Sequence, residues 1–340
     1  MPLNYERRLS NLQSRRYDNE LNESVISKSF SNDKIPKNIK YLYESMSKID
    51  SKYNERTYDA ANRVQKHLEG NFNLHFDRAY RTQGSVVTGT NIKVHSDFDL
   101  LVIINKYHFN GPNVPINNPY TDTDHTDDIK DLRKQSENIM SNIYDEVDKT
   151  GRKNISIFNK SLNRKVDIVF CFWYHTQDYI ETQNEYYRGI YLYDFIENEK
   201  ISDFPFAHIS QVNAKGETTN DGSRKAIRLL KTLKADSLEE IKLSSFDLTT
   251  IVHSIEDNLL YYHSGKEVQI AKVISNQLLN LINNSELRKS IKSPNGTENP
   301  LTDDCVSEMR NLKKDLDELI EDVSKELYNS YFEKGELIYS

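Results

Sequence analysis

Apolar side chains recur at steps of three and four residues from position 39 to position 68, the spacing of one buried helix face. This pattern predicts a single long helix, with Gly70 and Asn71 as its stop signals. From Phe72 onward, short runs rich in β-branched and aromatic residues predict strands at 74–80, 100–104, 155–158, 166–173 and 190–193. Between the second and third of these strands, an acidic stretch leads into a predicted amphipathic helix.

The second half of the chain has a helical pattern. Beyond Pro205, amphipathic helices are predicted at 226–234, 245–258, 267–283 and 303–328. Strands followed by a run of helices indicate an α+β protein with two lobes, a mixed-sheet domain and a C-terminal helical domain, and a cleft between them. We expect a loose N-terminal arm over 1–36, the sheet domain with its long leading helix over 37–205, and the helical domain over 206–340.

Composition narrows the class of partner. The 340 residues carry a net charge of -7, whereas proteins that follow a long phosphate backbone usually have a basic excess, so small nucleotides fit better than long nucleic acid. Only Cys171 and Cys305 are present, which supports neither a disulfide framework nor a cysteine zinc site. Neither a membrane-length apolar run nor a secretory signal is visible, so we expect a cytosolic protein without a membrane partner.

Two carboxylates stand at the start of an apolar strand. Asp97 and Asp99 lie two residues apart, so both side chains are expected on one face of the strand, with Phe98 on the other. Carboxylates held this close repel one another unless cations lie between them, and oxygen ligands of this kind suit Mg²⁺ or Mn²⁺. The alternative for a lone Asp-x-Asp is a solvated strand end without function.

Glycines upstream and an aspartate downstream strengthen the metal-site interpretation. Gly84-Ser85 and Gly89-Thr90 permit close approach of the backbone to a phosphate, most directly if Ser85 opens a short helix. A tight turn between strand and helix is the alternative. Asp167 lies in the apolar strand 166–173, where an unpaired carboxylate is costly to bury. Its alternative role is a salt bridge with Arg164 or Lys165.

The combined motif resembles that of a known superfamily. Gly-Ser, eleven residues, Asp-Phe-Asp and a later strand aspartate form a pattern similar to that of the polymerase-β-like nucleotidyltransferases. Over about 37–330 the chain resembles their cGAS/DncV-like branch (CD-NTases), in the long helix before the core and in a series of later residues: Gly189-Ile190-Tyr191-Leu192, Phe204-Pro205, His208, Asn213, Arg228-Leu229-Leu230-Lys231 and Ser244-Ser245-Phe246. The resemblance implies that fold, with Asp97, Asp99 and Asp167 as catalytic metal ligands. It also implies a nucleotide site formed by Gly84, Ser85, Thr90, Lys231 and Ser245.

The resemblance further implies a function. We expect Mg²⁺-dependent joining of nucleoside triphosphates into a cyclic di- or trinucleotide second messenger, with release of pyrophosphate. The setting would be bacterial anti-phage (CBASS-type) signalling, in which a separate effector protein senses the product. Tyr193 is a candidate for stacking on a base. Three alternatives stay open: synthesis of linear oligonucleotides, transfer of AMP to a protein or small molecule, and a nucleotide-binding scaffold without turnover.

Overall fold

The computed structural model describes residues 2–18, 23–24, 34–94, 96, 98–111 and 124–339, with side chains described as far as 329. The described strands are β1 (Tyr17–Asp18), β2 (Glu23–Ser24), β3 (Arg78–Gln83), β4 (Asp99–Asn110), β5 (Val147–Asp148), β6 (Asn154–Asn159), β7 (Arg164–His175), β8 (Arg188–Asp194) and β9 (Glu199–Asp203). The helices are α1 (Tyr5–Arg15), α2 (Lys37–Met46), α3 (Ser51–Asn71), α4 (His125–Ile143), α5 (Gln177–Thr182), α6 (Pro205–Thr218), α7 (Gly222–Asp236), α8 (Ser245–His253), α9 (Asp257–Leu260), α10 (Glu267–Asn283), α11 (Ser285–Ser290) and α12 (Cys305–Tyr339).

A mixed sheet forms the first half of the molecule. Its order is β3-β4-β7-β6-β5, and β8 and β9 extend it from β7. β4 and β7 run parallel, whereas the other pairs are antiparallel. β7 is long enough to pair with β6 along its first part and with β8 along its second, on the edge opposite β4. β4 and β7 are therefore the central strands.

Alternation along β4 and β7 divides the sheet into two apolar faces. Even-numbered residues of β7, and of β4 as far as Ile104, pack against α3 and α4, and we call this side the α3/α4 face. Odd-numbered residues form a smaller cluster with Phe206 of α6, and we call this side the α6 face: Leu101, Ile103, Val169, Cys171 and Trp173. Asp99 and Asp167 stand two residues before Leu101 and Val169. Their side chains therefore lie on the α6 face, beside this cluster and next to the helical half.

The helical half has its own core, which joins α7, α8, α10 and α12 to the first two helices of the chain. Leu9 and Leu12 of α1 are buried in it, so the expectation of a loose arm is wrong for Tyr5–Arg15. Asp236 at the end of α7 fixes α1 in place by accepting two hydrogen bonds from the Arg15 guanidinium, at 2.7 and 2.8 Å. The domain division at 36 and 205 stays a prediction, but the packing assigns α2 to the helical core.

The single long helix predicted from 39 to 68 is wrong as one element. The chain forms α2 and α3 with an extended break over 47–50, where the Asp50 side chain caps α3 by accepting the Lys52 N–H at 3.0 Å. Tyr193, the candidate for base stacking, is 2% exposed and packs on the α3/α4 face, away from the α6 face. No helix of the described residues is long and apolar enough to cross a bilayer.

Candidate active site

Asp99 and Asp167 face each other across the two central strands. In the parallel pairing of β4 with β7 they are direct register partners, and both are odd-numbered, so both carboxylates lie on the α6 face. The Asp167 N–H donates to Phe98 O at 2.9 Å, which extends the pairing by one residue. Asp97 falls outside the described residues, so its place in the site stays a prediction from the sequence.

Neighbouring side chains bind both carboxylates. Gln83 of β3 is the register partner of Asp99 and donates from Nε2 to its Oδ2 at 2.9 Å. Ser156 of β6 is the register partner of Asp167 and donates from Oγ to its Oδ1. Lys165 Nζ lies 3.1 Å from Asp167 Oδ2, so the ion pair considered from the sequence is present. The other candidate, Arg164, instead pairs with Asp18 at 2.9 Å.

The donor set of this edge suits a hard divalent cation. Two opposed carboxylates supply the oxygen ligands that Mg²⁺ and Mn²⁺ prefer. Within the described ranges no group of three or more His, Cys, Asp or Glu side chains forms a metal cluster, and Asp97 is not among the described residues. Gln83 binds one oxygen of Asp99, and Ser156 and Lys165 bind the two oxygens of Asp167. Hydrogen bonds of this kind orient metal ligands.

The segment from Gly84 to Thr90 forms consecutive turns. The Val87 N–H donates to Gly84 O at 3.2 Å, and the Thr90 N–H donates to Ser85 O at 2.9 Å. Gly84 has φ +112° and Gly89 φ +66°, conformations that side chains with a Cβ rarely adopt. No helix begins at Ser85: the segment is a run of turns, as in the tight-turn alternative, but it connects β3 to β4 and does not lead into a helix.

Basic side chains of helix α7 bind the backbone carbonyl groups of this turn. Three successive carbonyl oxygens each accept a hydrogen bond from a basic side chain of α7: Thr88 O from Arg224 Nε at 3.1 Å, Gly89 O from Arg228 Nη1 at 2.7 Å, and Thr90 O from Lys231 Nζ at 3.1 Å. The three donors follow at steps of four and three residues, the spacing of one helix face. We call these three hydrogen bonds the α7 clamp.

Arg224 and Arg228 were not identified as site residues from the sequence. Arg228 is 1% exposed, and it also donates to Met46 O and to Asp221 Oδ2, at 2.8 and 2.6 Å. Arg224 donates further to Asn213 O and Oδ1, at 3.2 and 3.0 Å, and it crosses α6 at Gly216, where an added Cβ would overlap the guanidinium. The signal that could have revealed them is their spacing with Lys231, opposite a turn rich in glycine.

One cavity of about 230 Å³ brings six of the sequence candidates together, whereas Asp167 is not part of its lining. Its lining includes the following predicted site residues: Gly84, Ser85, Thr90, Asp99, Lys231 and Ser245. Ser245 begins α8, whose N-terminus is fixed by a capping box between Ser244 and Asp247. The sheet half thus contributes a carboxylate and the turn, and the helical half contributes a lysine and a helix start. The roles of these residues stay predictions.

The same cavity is lined by side chains that were not predicted as site residues, including Asp203, His208, Phe246 and Asn295. Burial raises the pKa of Asp203, and the negative charge of Glu298 adds to this effect. Burial lowers the pKa of His208 to about 4, helped by the positive charge of His253, so the imidazole is neutral at pH 7. Its ring stacks on Phe246 with centroids 5.4 Å apart and an interplanar angle of 25°.

Comparison with known proteins places this geometry in a family. No protein-family model matches the chain. It is 35% identical over 342 residues to the c-di-GMP synthase of Capnocytophaga granulosa, covering 93% of this chain and 96% of that relative. The structure of the STING-associated CdnE c-di-GMP synthase from Capnocytophaga granulosa superposes with a TM-score of 0.80 at 34% identity, over 95% of this chain and 99% of the other. The corresponding STING-associated enzyme from Flavobacteriaceae sp. gives a TM-score of 0.82 at 25% identity with the same coverage.

These likenesses extend over nearly the whole of each chain, so they include both the sheet half and the helical half. The expected polymerase-β-like α+β fold is confirmed, and so is the resemblance first seen in the Gly-Ser and Asp-Phe-Asp motif. The chain belongs to the cGAS/DncV-like nucleotidyltransferases (CD-NTases) and is a nucleotidyltransferase of their cyclic dinucleotide synthase type.

Proposed function

We propose that this protein joins two GTP molecules into cyclic di-GMP. The similarity of this chain to c-di-GMP synthases, along nearly their full length, supports this choice of product. In each half-reaction, a ribose hydroxyl oxygen of one nucleotide bonds to the α-phosphorus of the other. The bond from that phosphorus to the β-bridging oxygen breaks, pyrophosphate leaves, and the hydroxyl proton is released. A second, identical step closes the ring.

The observation that carries the proposal is the register pairing of Asp99 with Asp167 beside the turn at Gly84. Together with Asp97, these carboxylates would hold Mg²⁺. Bound there, the divalent ions would neutralise the phosphates and lower the pKa of the acceptor hydroxyl. Gln83 and Ser156 keep the two described carboxylates aimed at the α6 face.

The remaining candidates bind and orient the donor triphosphate. Ser85 and Thr90 offer hydroxyl donors from the turn, and the α7 clamp turns the carbonyls of residues 88–90 towards α7. Lys231 and Ser245 approach the same cavity from the helical half and supply a cation and a hydroxyl. Two nucleotides held between the halves react as if within one molecule, which supplies much of the rate.

The test is to incubate the purified protein with each nucleoside triphosphate and Mg²⁺, and to measure pyrophosphate release and product mass. We expect a phosphatase-resistant cyclic product from GTP alone. Asp99→Ala should abolish release, whereas Asp59→Ala, which removes an exposed carboxylate of α3, should not. A phosphatase-sensitive product would favour a linear oligonucleotide synthase, label on protein would favour AMP transfer, and no turnover with any nucleotide would favour an inert scaffold.

The biological setting is part of the proposal. Two of the similar structures are of STING-associated enzymes, which supports a separate effector protein as the receiver of the product. The cytosolic location and the role in anti-phage defence belong to the same proposal.

A further inference from the structure

The cavity continues from Asp99 along the sheet to Asp203. Asp203, the last residue of β9, is the register partner of Ile190, which is the register partner of Trp173. Directly opposed residues share a face, and Trp173 lies on the α6 face with Asp167, six residues earlier on β7. The Asp203 carboxyl therefore emerges on the same side of the sheet as the catalytic pair, farther along it.

The surroundings of Asp203 leave this carboxyl short of donors. Within the described part of the chain it receives one hydrogen bond, from the Phe204 N–H to Oδ1 at 2.7 Å. The half-buried carboxyl has lost part of its solvation, which raises its pKa against the opposing effect of the Phe204 hydrogen bond. A ligand with two adjacent N–H donors would relieve that cost.

Two rings line the cavity with Asp203. His208 stacks on Phe246, and because its pKa is lowered to about 4 it presents a neutral ring. Its Nδ1 is buried and has no hydrogen-bond partner among the described residues. Flat π systems of this kind are the surfaces on which nucleobases pack.

The edges of the four bases differ in what they offer to such a carboxylate. Guanine presents two neighbouring donors, N1–H and the 2-amino group, which match both oxygens of one carboxylate. Adenine and cytosine present one donor beside an acceptor, and uracil presents one donor between two acceptors, so each would place a lone pair against Asp203. We propose that Asp203 selects guanine by accepting from N1–H and the 2-amino group of a GTP whose base lies against His208 and Phe246. This assignment rests on the proposed function.

Asn295 adds a second element of selection. Its Oδ1 accepts from Ser293 Oγ at 2.6 Å and from Thr297 Oγ1 and N, at 3.0 and 3.3 Å. With its carbonyl oxygen occupied, the Nδ2 group is the part of this side chain that donates. Guanine carries the acceptors O6 and N7 on the edge next to N1, whereas adenine has an amino group in place of O6. A carboxylate with an amide donor thus complements guanine.

The test is calorimetric binding of non-hydrolysable GTP, ATP and ITP analogues to the full chain. Asp203→Asn replaces one acceptor by a donor, so we expect GTP-analogue affinity to fall roughly 10- to 100-fold, as for loss of a bidentate base contact, while ATP-analogue affinity rises. Inosine lacks the 2-amino group, so the wild type should bind the ITP analogue about 10-fold more weakly than the GTP analogue. This difference should vanish in Asp203→Asn.

Glu199→Gln is the matched control, because it removes an exposed carboxylate from the same strand outside the cavity lining. Its ratio of GTP to ATP affinity should equal that of the wild type. The assignment is overturned if Asp203→Asn keeps the wild-type ratio, or if the wild type binds the ITP and GTP analogues equally. The inosine comparison needs no variant, so a failure of Asp203→Asn to fold leaves the test intact. The titrations need no turnover, so absence of cyclic product would refute the proposed function alone.

Discussion

From the α7 clamp we predict that loss of one of its hydrogen bonds weakens the binding of GTP. Replacing Arg224 by Gln removes the hydrogen bond to Thr88 O, while the bonds of Arg228 and Lys231 to the next two carbonyls remain. The Arg224 side chain is 17% exposed, so the contact is largely shielded from water. A hydrogen bond from a charged donor contributes about 1.5–3 kcal/mol, which corresponds to roughly 10- to 150-fold in kcat/KM.

The effect should appear in KM for GTP. The turn would hold the triphosphate in the ground state and in the transition state alike, and loss of such uniform binding raises KM without lowering kcat. The assay is pyrophosphate release against GTP concentration, with a thermal unfolding scan of each variant. Arg224→Lys should recover part of the affinity, because an ammonium still donates to Thr88 O but no longer bridges to Asn213.

A substitution in α6 can disturb the same hydrogen bond between Arg224 and Thr88 O. Gly216→Ala adds a Cβ that would overlap the Arg224 guanidinium and displace it, although alanine in a helix is favoured over glycine by about 1 kcal/mol. Gly70→Ala in α3 is the matched control, because an added Cβ there meets nothing within 4 Å. The reasoning is refuted if both Arg224→Gln and Gly216→Ala leave KM for GTP within about twofold of wild type.

Three further predictions concern the site and its support. Asp167→Asn should lower kcat at least about 100-fold with little change in melting temperature, since the amide keeps the shape but loses the charge; wild-type turnover would exclude it from the site. Burial and positive neighbours lower the pKa of His175 and of His208 to about 4 from 6.5. As the pH falls, the unfolded chain therefore binds protons at these histidines before the folded chain does. The free energy of unfolding, measured in urea, should be highest above pH 6.5 and should decline towards pH 4, and this decline should be smaller in His208→Gln. Gly222→Ala should lower the melting temperature clearly, because its Cβ would overlap Leu260 O.

The central strands β4 and β7 were predictable from local pattern, whereas their pairing was not. Asp99 and Asp167 each stand out as a charge at an apolar strand, and alternation alone assigns each to one face. That the two strands are parallel neighbours with these residues opposed is a matter of register, which depends on the whole sheet. The resemblance to a family supplied that step.

Three other features of the structure could not be predicted from the sequence, for physical reasons. Ile49 keeps the apolar period in phase across the break between α2 and α3, so the period cannot reveal that Asp50 caps a new helix. β9 has a single apolar residue, Ile201, and joins the sheet through backbone pairing with β8. Arg224 on an amphipathic helix is indistinguishable in sequence from a solvated charge. Each of these features depends on a partner distant in the chain.

The helical half is formed by α1 and α2 together with helices that follow β9 in the chain. The protein therefore cannot be cut into two independent lobes at one point. A fragment that starts at 206 would lack α1 and α2, leaving a groove on α7 and α12 open to water where Leu9, Leu12 and Tyr41 belong. The Asp236 carboxylate is fully buried in the whole chain, and in the fragment it would lack the Arg15 guanidinium and the Tyr41 hydroxyl that bind it. A lobe expressed alone should therefore aggregate, and complementation by a separate peptide spanning 2–46 would restore it.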